Sequence, residues 1–181
     1  MPKWVKISRG DILNIRVLNE KDTQAYRTIR LNALINNPEA FGSSYEEEAA
    51  FESARFTHRL TNPKSQTFGA FEGEQLGGIC NISFQPRKKM RHRAEIFSMY
   101  VEPAFRGKGV GRLLIETCLQ AARMRPHVRQ VYLTVVSSNQ TAKALYTSFG
   151  FKTYGVDQMA MFYNDRFYDH DLMVLHIPQS E

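Results

Sequence analysis

A switch in hydrophobic period across a glycine-rich connection constrains this chain more than any other feature. Residues 94–101 read as a strand that stops at Pro103. Residues 109–124 read as a helix on which Val110, Leu113, Leu114, Thr117, Cys118 and Ala121 recur at three- and four-residue spacing. A single apolar stripe of that kind packs on a sheet. Between strand and helix lies Arg106-Gly107-Lys108-Gly109-Val110-Gly111. Glycines let successive backbone N–H groups turn toward one point, and the helix start adds positive partial charge, so such a loop can cradle a pyrophosphate. Read alone, it is equally a tight connection with no ligand. Two nucleotide-binding patterns are excluded. A P-loop needs Ser or Thr after its Lys, and a dinucleotide fingerprint needs G-x-G-x-x-G, whereas Gly107, Gly109 and Gly111 are spaced by two.

The rest of the chain supplies the sheet. Ile12, Ile15, Val17 and Leu18 suggest a first strand, and Asn19 or Asp22 can cap a helix carrying Ala25, Tyr26, Ile29 and Ala33 on one face. Asn36-Asn37-Pro38-Glu39 should break that helix. A second should begin near Tyr45-Glu46-Glu47-Glu48, where three acidic side chains suit the positive end of a helix dipole better than a metal. Residues 67–71 and 76–84 form a hairpin around Glu72-Gly73-Glu74. Residues 131–136 are rich in β-branched side chains, Asn139 opens a short helix that Gly150 closes, and strands near 151–156 and 172–177 finish the pattern. The order β, α, α, β, β, β, α, β, α, β, β describes an α/β fold, a mixed sheet with helices on both faces. With no repeat of 20 to 50 residues, the expected organisation is a single domain over 1–181.

Composition narrows the class. A 43% hydrophobic fraction with twelve Phe and eight Tyr argues against a disordered chain. Residues 1–10 carry no apolar run after their basic residues, and no apolar stretch approaches about 18 residues, so neither a signal peptide nor a membrane span is expected. Cys80 and Cys118 lie in apolar segments without metal-ligand spacing and read as core thiols of a reducing compartment, which makes the cytoplasm the expected location and a metal site unexpected. The net charge of +6 is dispersed apart from clusters at 87–93 and 123–125, which read as solvated loops. Nucleic-acid binding through 87–93 finds no support in any recognition-helix, zinc or RNP pattern.

Arg106-x-x-Gly109-x-Gly111 resembles the acetyl-CoA-binding signature of the GNAT acetyltransferase superfamily. Met99-Tyr100-Val101-Glu102-Pro103 before it resembles the family's strand ending in V-x-P. After it, Ser138-Asn139-x-x-Ala142-x-x-Leu145-Tyr146-x-x-x-Gly150-Phe151 resembles the second signature, and together these matches span about 96–151. The resemblance implies a GNAT-like, mostly antiparallel seven-stranded sheet whose fourth and fifth strands, 94–101 and 131–136, run parallel and splay apart. It implies direct acetyl transfer from acetyl-CoA to a primary amine. The backbone of Gly107, Lys108, Gly109, Val110 and Gly111, beside Arg106, would hold the pyrophosphate. The edge of Met99, Tyr100 and Val101 would pair with the pantetheine arm, and an N–H near Met99 or Tyr100 would stabilise the oxyanion.

By the same resemblance Tyr146 stands at the position of the general acid that protonates the departing thiolate; as a residue alone it is equally a core aromatic. Asn139 is a helix cap, a pantetheine contact, or both. For the base, Glu95 is the first candidate, on the strand feeding the acetyl site where partial desolvation would raise its pKa; the competing reading is an exposed strand residue. His92, His170 and Glu102 follow. The acceptor would enter between 23–61 and the connection joining the last two strands, with Met159, Phe162, Tyr163, Asp165, Tyr168, Asp169 and Asp171; that stretch is either an enclosure for a cationic amine or an exposed hairpin with core aromatics. Polyamine, aminoglycoside, amino acid and peptide N-terminus remain open as acceptors. A non-catalytic acyl-CoA-binding module is the rival reading. Homodimers are common in the resembled family, though no interface is visible in the sequence.

Overall fold

The structure, a computed structural model, describes residues 3–6 and 12–178; most of segment 1–10, read above for a leader, lies outside the described residues. In chain order the strands and α-helices are β1 Lys3–Lys6, β2 Ile12–Val17, α1 Thr23–Asn36, α2 Tyr45–Ala49, α3 Ser53–Thr61, β3 Ser65–Glu72, β4 Gln75–Phe84, β5 Arg93–Val101, α4 Val110–Arg123, β6 Gln130–Val136, α5 Gln140–Ser148, β7 Lys152–Tyr163 and β8 Arg166–His176. They form one sheet in the order β1-β2-β3-β4-β5-β6-β8-β7. Neighbours are antiparallel except β5 and β6, which are parallel. The seven expected strands are all present. The eighth, β1, adds one edge through the register Lys3↔Ile15 to Lys6↔Ile12. Four residues are too few to carry a period that sequence reading could detect.

Side-chain alternation along the strands divides the core in two. On one face α4 and α5 cover Leu13, Ile15, Ala70, Cys80, Ile82 and Ile96; on the other α1 and α3 cover Leu18, Phe71, Leu76, Ile79 and Tyr100. Ile79 and Cys80 therefore point to opposite layers, and the run of buried residues along β4 is what a strand covered on both faces requires. On α4 the fully buried set is Val110, Leu114, Ile115, Cys118, Leu119 and Ala122. The stripe is thus rotated toward Ile115 and Leu119, with Leu113 and Ala121 only partly buried at its margin.

Local signals fix several boundaries. Asn19 closes a capping box, but with Asp22 around a 3-10 turn, Glu20–Asp22, and not on α1 itself. Ala25 faces solvent; Tyr26, Ile29 and Ala33 are buried as expected. Ser44 caps α2 and accepts from the Glu47 N–H. The second helix is two pieces, because Glu52 is extended, with ψ 151, and restarts the chain as α3.

The largest departure is at the end of the chain. The stretch around 157–171, for which an exposed hairpin is one of the two readings from sequence, consists of the arms of one long hairpin, β7 and β8, turning at Asn164 and Asp165. Its aromatics are not core residues: Phe162 and Phe167 are more than half exposed and stack on each other at 4.8 Å. The register slips between Asp157 and Met161, Met159 lies at φ 53, and the Met159 N–H donates to Asp169 Oδ1 at 2.8 Å. A bulge of this kind bends a hairpin and also interrupts the period-2 pattern by which the strand would have been recognised.

Candidate active site: a cleft between diverging parallel strands

β5 and β6 pair over three rungs only, Arg93↔Gln130, Ala94↔Val131 and Glu95↔Tyr132, although β5 runs on to Val101 and β6 to Val136. The cause lies in β5. Its register against β4 slips between the pairs Asn81↔Phe97 and Ile79↔Tyr100, and Ser98 within the slip has φ 52. An extra residue in a left-handed conformation turns the strand away from its neighbour. A cavity of about 960 Å³ fills the opening. Its walls leave strand-edge peptide groups without sheet partners, which suits an extended ligand that carries amides of its own.

The glycine loop closes one end. Gly107 and Gly109 have φ 75 and 79, and a Cβ on either would meet nothing within 4 Å, so glycine is needed there for conformation and not for space. Gly111 is the opposite case: a Cβ would approach Met99 Cε to 3.1 Å. Among the described residues no backbone carbonyl accepts from the N–H groups of Gly107, Lys108 or Gly109. The first N–H groups of α4 are unpaired by helix geometry. Together they place unpaired donors at the positive end of a helix, an arrangement that suits an anion.

Of the residues singled out from sequence, Glu95, Met99, Tyr100, Val101, Arg106, Gly107, Gly109, Val110, Gly111, Asn139 and Tyr146 all line this one cavity. Lys108 does not; its Nζ reaches Glu72 Oε1 at 3.3 Å. The Arg106 guanidinium braces the loop, donating to the Val101 carbonyl at 2.9 Å and to Asn37 Oδ1 at 3.2 Å. Tyr100 turns its hydroxyl to the α1 side, where it accepts from Asn36 Nδ2 at 2.8 Å and donates to Glu102 Oε2 at 3.1 Å. Glu102, held further by Asn32 Nδ2 at 2.8 Å, is tied into that network, and neither it nor His92 lines the cavity.

Tyr146 is 6% exposed, on the buried face of α5, with its ring edge-on to Phe151. Burial pushes its phenol well above the ordinary value, and the buried thiols Cys80 and Cys118 add to the shift. Near neutral pH the group is therefore a proton donor and not a base. Those thiols, on different elements, lie 3.4 Å apart Sγ to Sγ. Asn139 caps α5 by accepting from the Ala142 N–H at 3.0 Å while lining the cavity. Glu95 is exposed, so the desolvation expected for it is missing. His170, ranked behind Glu95 from sequence, lines the cavity with a buried Nε2 that has no hydrogen-bond partner.

A second cavity, about 430 Å³, adjoins the first, and Phe41, Gly42, Phe97 and Ser98 line both. Its charged centre escaped sequence reading. Glu48, fully buried, accepts from Arg30 Nη2 at 2.8 Å and from Arg59 Nη1 at 2.7 Å. Burial alone would raise its carboxyl, but the hydrogen bonds and charges of the two guanidinium groups overcome that and hold it at about 2. The only sequence cue was the acidic run at 46–48, which marks a helix start and does not single out its third member.

A splayed parallel pair with a glycine loop at a helix start has the shape and donors that suit a long, partly anionic ligand laid across the sheet. The sequence model of the acetyltransferase (GNAT) domain matches residues 15–172, and the chain belongs to that acetyltransferase family. It is 36% identical over 103 residues to the N-alpha-acetyltransferase RimI of Mycobacterium tuberculosis, a match covering 57% of this chain and 62% of that protein. It is 26% identical over 137 residues, 75% of this chain and 85% of the relative, to a putative ribosomal protein bS18-alanine N-acetyltransferase of Bacillus subtilis. Two further relatives are matched over only 30% and 35% of their length. Among solved structures, a GNAT acetyltransferase from Streptococcus pneumoniae superimposes with a TM-score of 0.81 at 26% identity, covering 91% of this chain and 99% of that one. YncA of Salmonella typhimurium, solved with acetyl-CoA, shares the fold with a TM-score of 0.74 at 20% identity, over 93% and 96%. No helix among the described residues is long and apolar enough to cross a membrane.

Proposed function

We propose that this chain transfers an acetyl group from acetyl-CoA to a primary amine by direct attack. The observation that carries the reading is the cleft itself: one cavity joins the unpaired β5 edge, the glycine loop and the buried Tyr146. The names of the relatives, and the acetyl-CoA in the Salmonella structure, support the same reaction. The N–H groups at Gly107 to Gly111 hold the pyrophosphate, and the edge of Met99, Tyr100 and Val101 pairs with the pantetheine amides. Lys108 takes part through its backbone alone, since Glu72 engages its side chain. A backbone N–H near Met99 or Tyr100 stabilises the oxygen of the thioester carbonyl as the amine adds. The amine nitrogen bonds to the carbonyl carbon, the C–S bond breaks, and Tyr146 gives its proton to the leaving thiolate.

Glu95 accepts the proton that the amine loses. His170 competes for this role, because its unpartnered Nε2 lies on the same cavity. Glu95→Gln and His170→Asn separate the two by which one lowers kcat while leaving acetyl-CoA affinity unchanged. The two free thiols suit a reducing compartment, and we assign the enzyme to the cytoplasm on that ground.

The deciding experiment is release of CoA from acetyl-CoA across polyamines, aminoglycosides, amino acids and short peptides. Selective turnover is the expected result. Tight acetyl-CoA binding with no release on any amine would sink the catalytic reading and leave an acyl-CoA-binding module.

A further inference from the structure

The smaller cavity has a chemistry that the acetyl-transfer reading does not use. It lies beyond Ser98, at the bulge where β5 leaves β6, so an acceptor seated there would reach the acetyl site across the Phe97–Ser98 wall common to both cavities. Its charged lining is Arg30, Arg59 and Glu48, with His58 exposed at its edge. Two guanidinium groups thus face one carboxylate, and that carboxylate is saturated. Oε1 accepts from Arg30 Nη2 and, at 3.2 Å, from Arg59 Nη2; Oε2 accepts from Arg59 Nη1 and, at 3.2 Å, from Arg30 Nε. Arg30 is 6% exposed, yet its Nη1 reaches nothing nearer than Ser98 Oγ at 3.5 Å. With the Glu48 oxygens already saturated, this weakly engaged Nη1 is the donor left over for an incoming anion.

A second, independent observation concerns Asn81. It lines the same cavity at 4% exposure; its Nδ2 donates to Thr67 Oγ1 at 2.7 Å, and its Oδ1 has no partner. The cavity therefore combines surplus positive charge with a wall residue, Asn81, whose buried carbonyl oxygen is unused, and Phe41 and Phe97 also line it.

We propose that the acceptor is an amine that itself bears a carboxylate, the carboxylate held by Arg30 and Arg59 and an N–H of the amine accepted by Asn81. The proposal rests on the acetyl-transfer reading and sharpens it. Polyamines and aminoglycosides would bring further cations into a cavity already one positive charge in excess, a mismatch that works against them. An amino acid, or a peptide whose first residue is acidic, supplies the complementary charge.

The test uses matched pairs on the intact protein. Free L-amino acids are compared with their carboxamides, and peptides beginning with Asp or Glu with those beginning with Asn or Gln, by CoA release. The N-acetyl forms of the same pairs are titrated calorimetrically into protein saturated with CoA, a measurement that needs no turnover. The carboxylate member of one set should be favoured about 10- to 100-fold in both readouts, the range of a charge-assisted hydrogen bond. Which set responds identifies the source of the carboxylate. Arg59→Gln should remove the preference, and Arg59→Lys should restore part of it. Asn81→Asp, in which the carboxylate accepts from the Thr67 hydroxyl and the arginines are untouched, should also abolish the preference, because it cancels the excess positive charge. Equal or better binding and turnover of the uncharged members overturns the proposal. Carboxylate-selective binding without turnover of any amine would leave the anion site standing and remove the transferase reading instead.

Discussion

The two cavities that meet at Phe97 and Ser98 are made in different ways. The larger is built from backbone: two strands that part after three rungs, and a loop whose glycines stand at φ 75 and 79. The smaller is built from side chains, with Arg30, Glu48 and Arg59 brought in from α1, α2 and α3. A backbone site tolerates most substitutions around it because the groups that bind are common to every residue. A side-chain site stands or falls with three named residues, and it is free to specify an acceptor. That division suits an enzyme that must keep one co-substrate while selecting its own amine.

Tyr146 is the proposed acid on the backbone side, and it offers the strongest test. Tyr146→Phe removes one hydroxyl from a buried ring and should lower kcat by about 10²- to 10⁴-fold, the usual contribution of a positioned acid. The acetyl-CoA dissociation constant and the thermal midpoint should be unchanged. Full activity in a folded, acetyl-CoA-binding variant would return Tyr146 to the role of a core aromatic.

On the side-chain side the sensitive residue is Glu48. Glu48→Gln leaves the buried Arg30 and the partly exposed Arg59 facing each other without a counter-charge and should cost about 3 kcal/mol in urea unfolding. The same carboxylate sets a pH dependence. Its folded pKa, about 2, lies below the ordinary 4.5, so its stabilisation is complete above the unfolded value and drains away as pH falls toward 2. The loss amounts to about 3 kcal/mol at most. The variant should lack that acid-side loss, whereas an unchanged acid profile would mean that other carboxylates, such as Asp22 paired with Arg16, carry it.

The same division explains what could be read in advance. The larger cavity was legible because its devices are local: glycines two apart at a helix start, an Asn three residues before the N–H it caps, and a β-branched run at 131–136. The smaller cavity was not, since Arg30, Glu48 and Arg59 are 18 and 11 positions apart and only the fold of three helices unites them. Asn81 on β4 gives no sign in sequence that one end of its amide will stay unpaired. The β7–β8 hairpin was shortened for a different reason. Its bulges, at 153–155 and 157–161, break the alternation by which strands are recognised, and the aromatics beyond them looked like core while facing solvent.

The glycine loop allows conformation to be separated from crowding. Gly109→Ala forces a side chain into the left-handed region, at about 1–2 kcal/mol. If that strain falls on the anion-binding turn, the acetyl-CoA dissociation constant rises about tenfold. Gly111→Ala has an ordinary backbone and presses only on the end of Met99, a flexible thioether that can move. It should have the smaller effect. The reverse order would mean that close approach of the co-substrate to Gly111, and not the turn at Gly109, sets affinity.

Asn139 is where the two kinds of construction overlap, and its effect should be the smallest. As the cap of α5 it is worth about 1 kcal/mol, which Asn139→Ala should lose in thermal unfolding. Asn139→Asp retains an oxygen for the Ala142 N–H and should keep the stability, but it exchanges the amide NH₂ at the cavity wall for a second acceptor. If Nδ2 also donates to the pantetheine arm, the Asp variant will be as stable as the parent and bind acetyl-CoA about 3- to 10-fold more weakly, the value of one hydrogen bond. Undiminished binding in that variant would make Asn139 a cap alone. The cofactor side would then bind through its backbone throughout, with side chains entering only as the proposed acid and base.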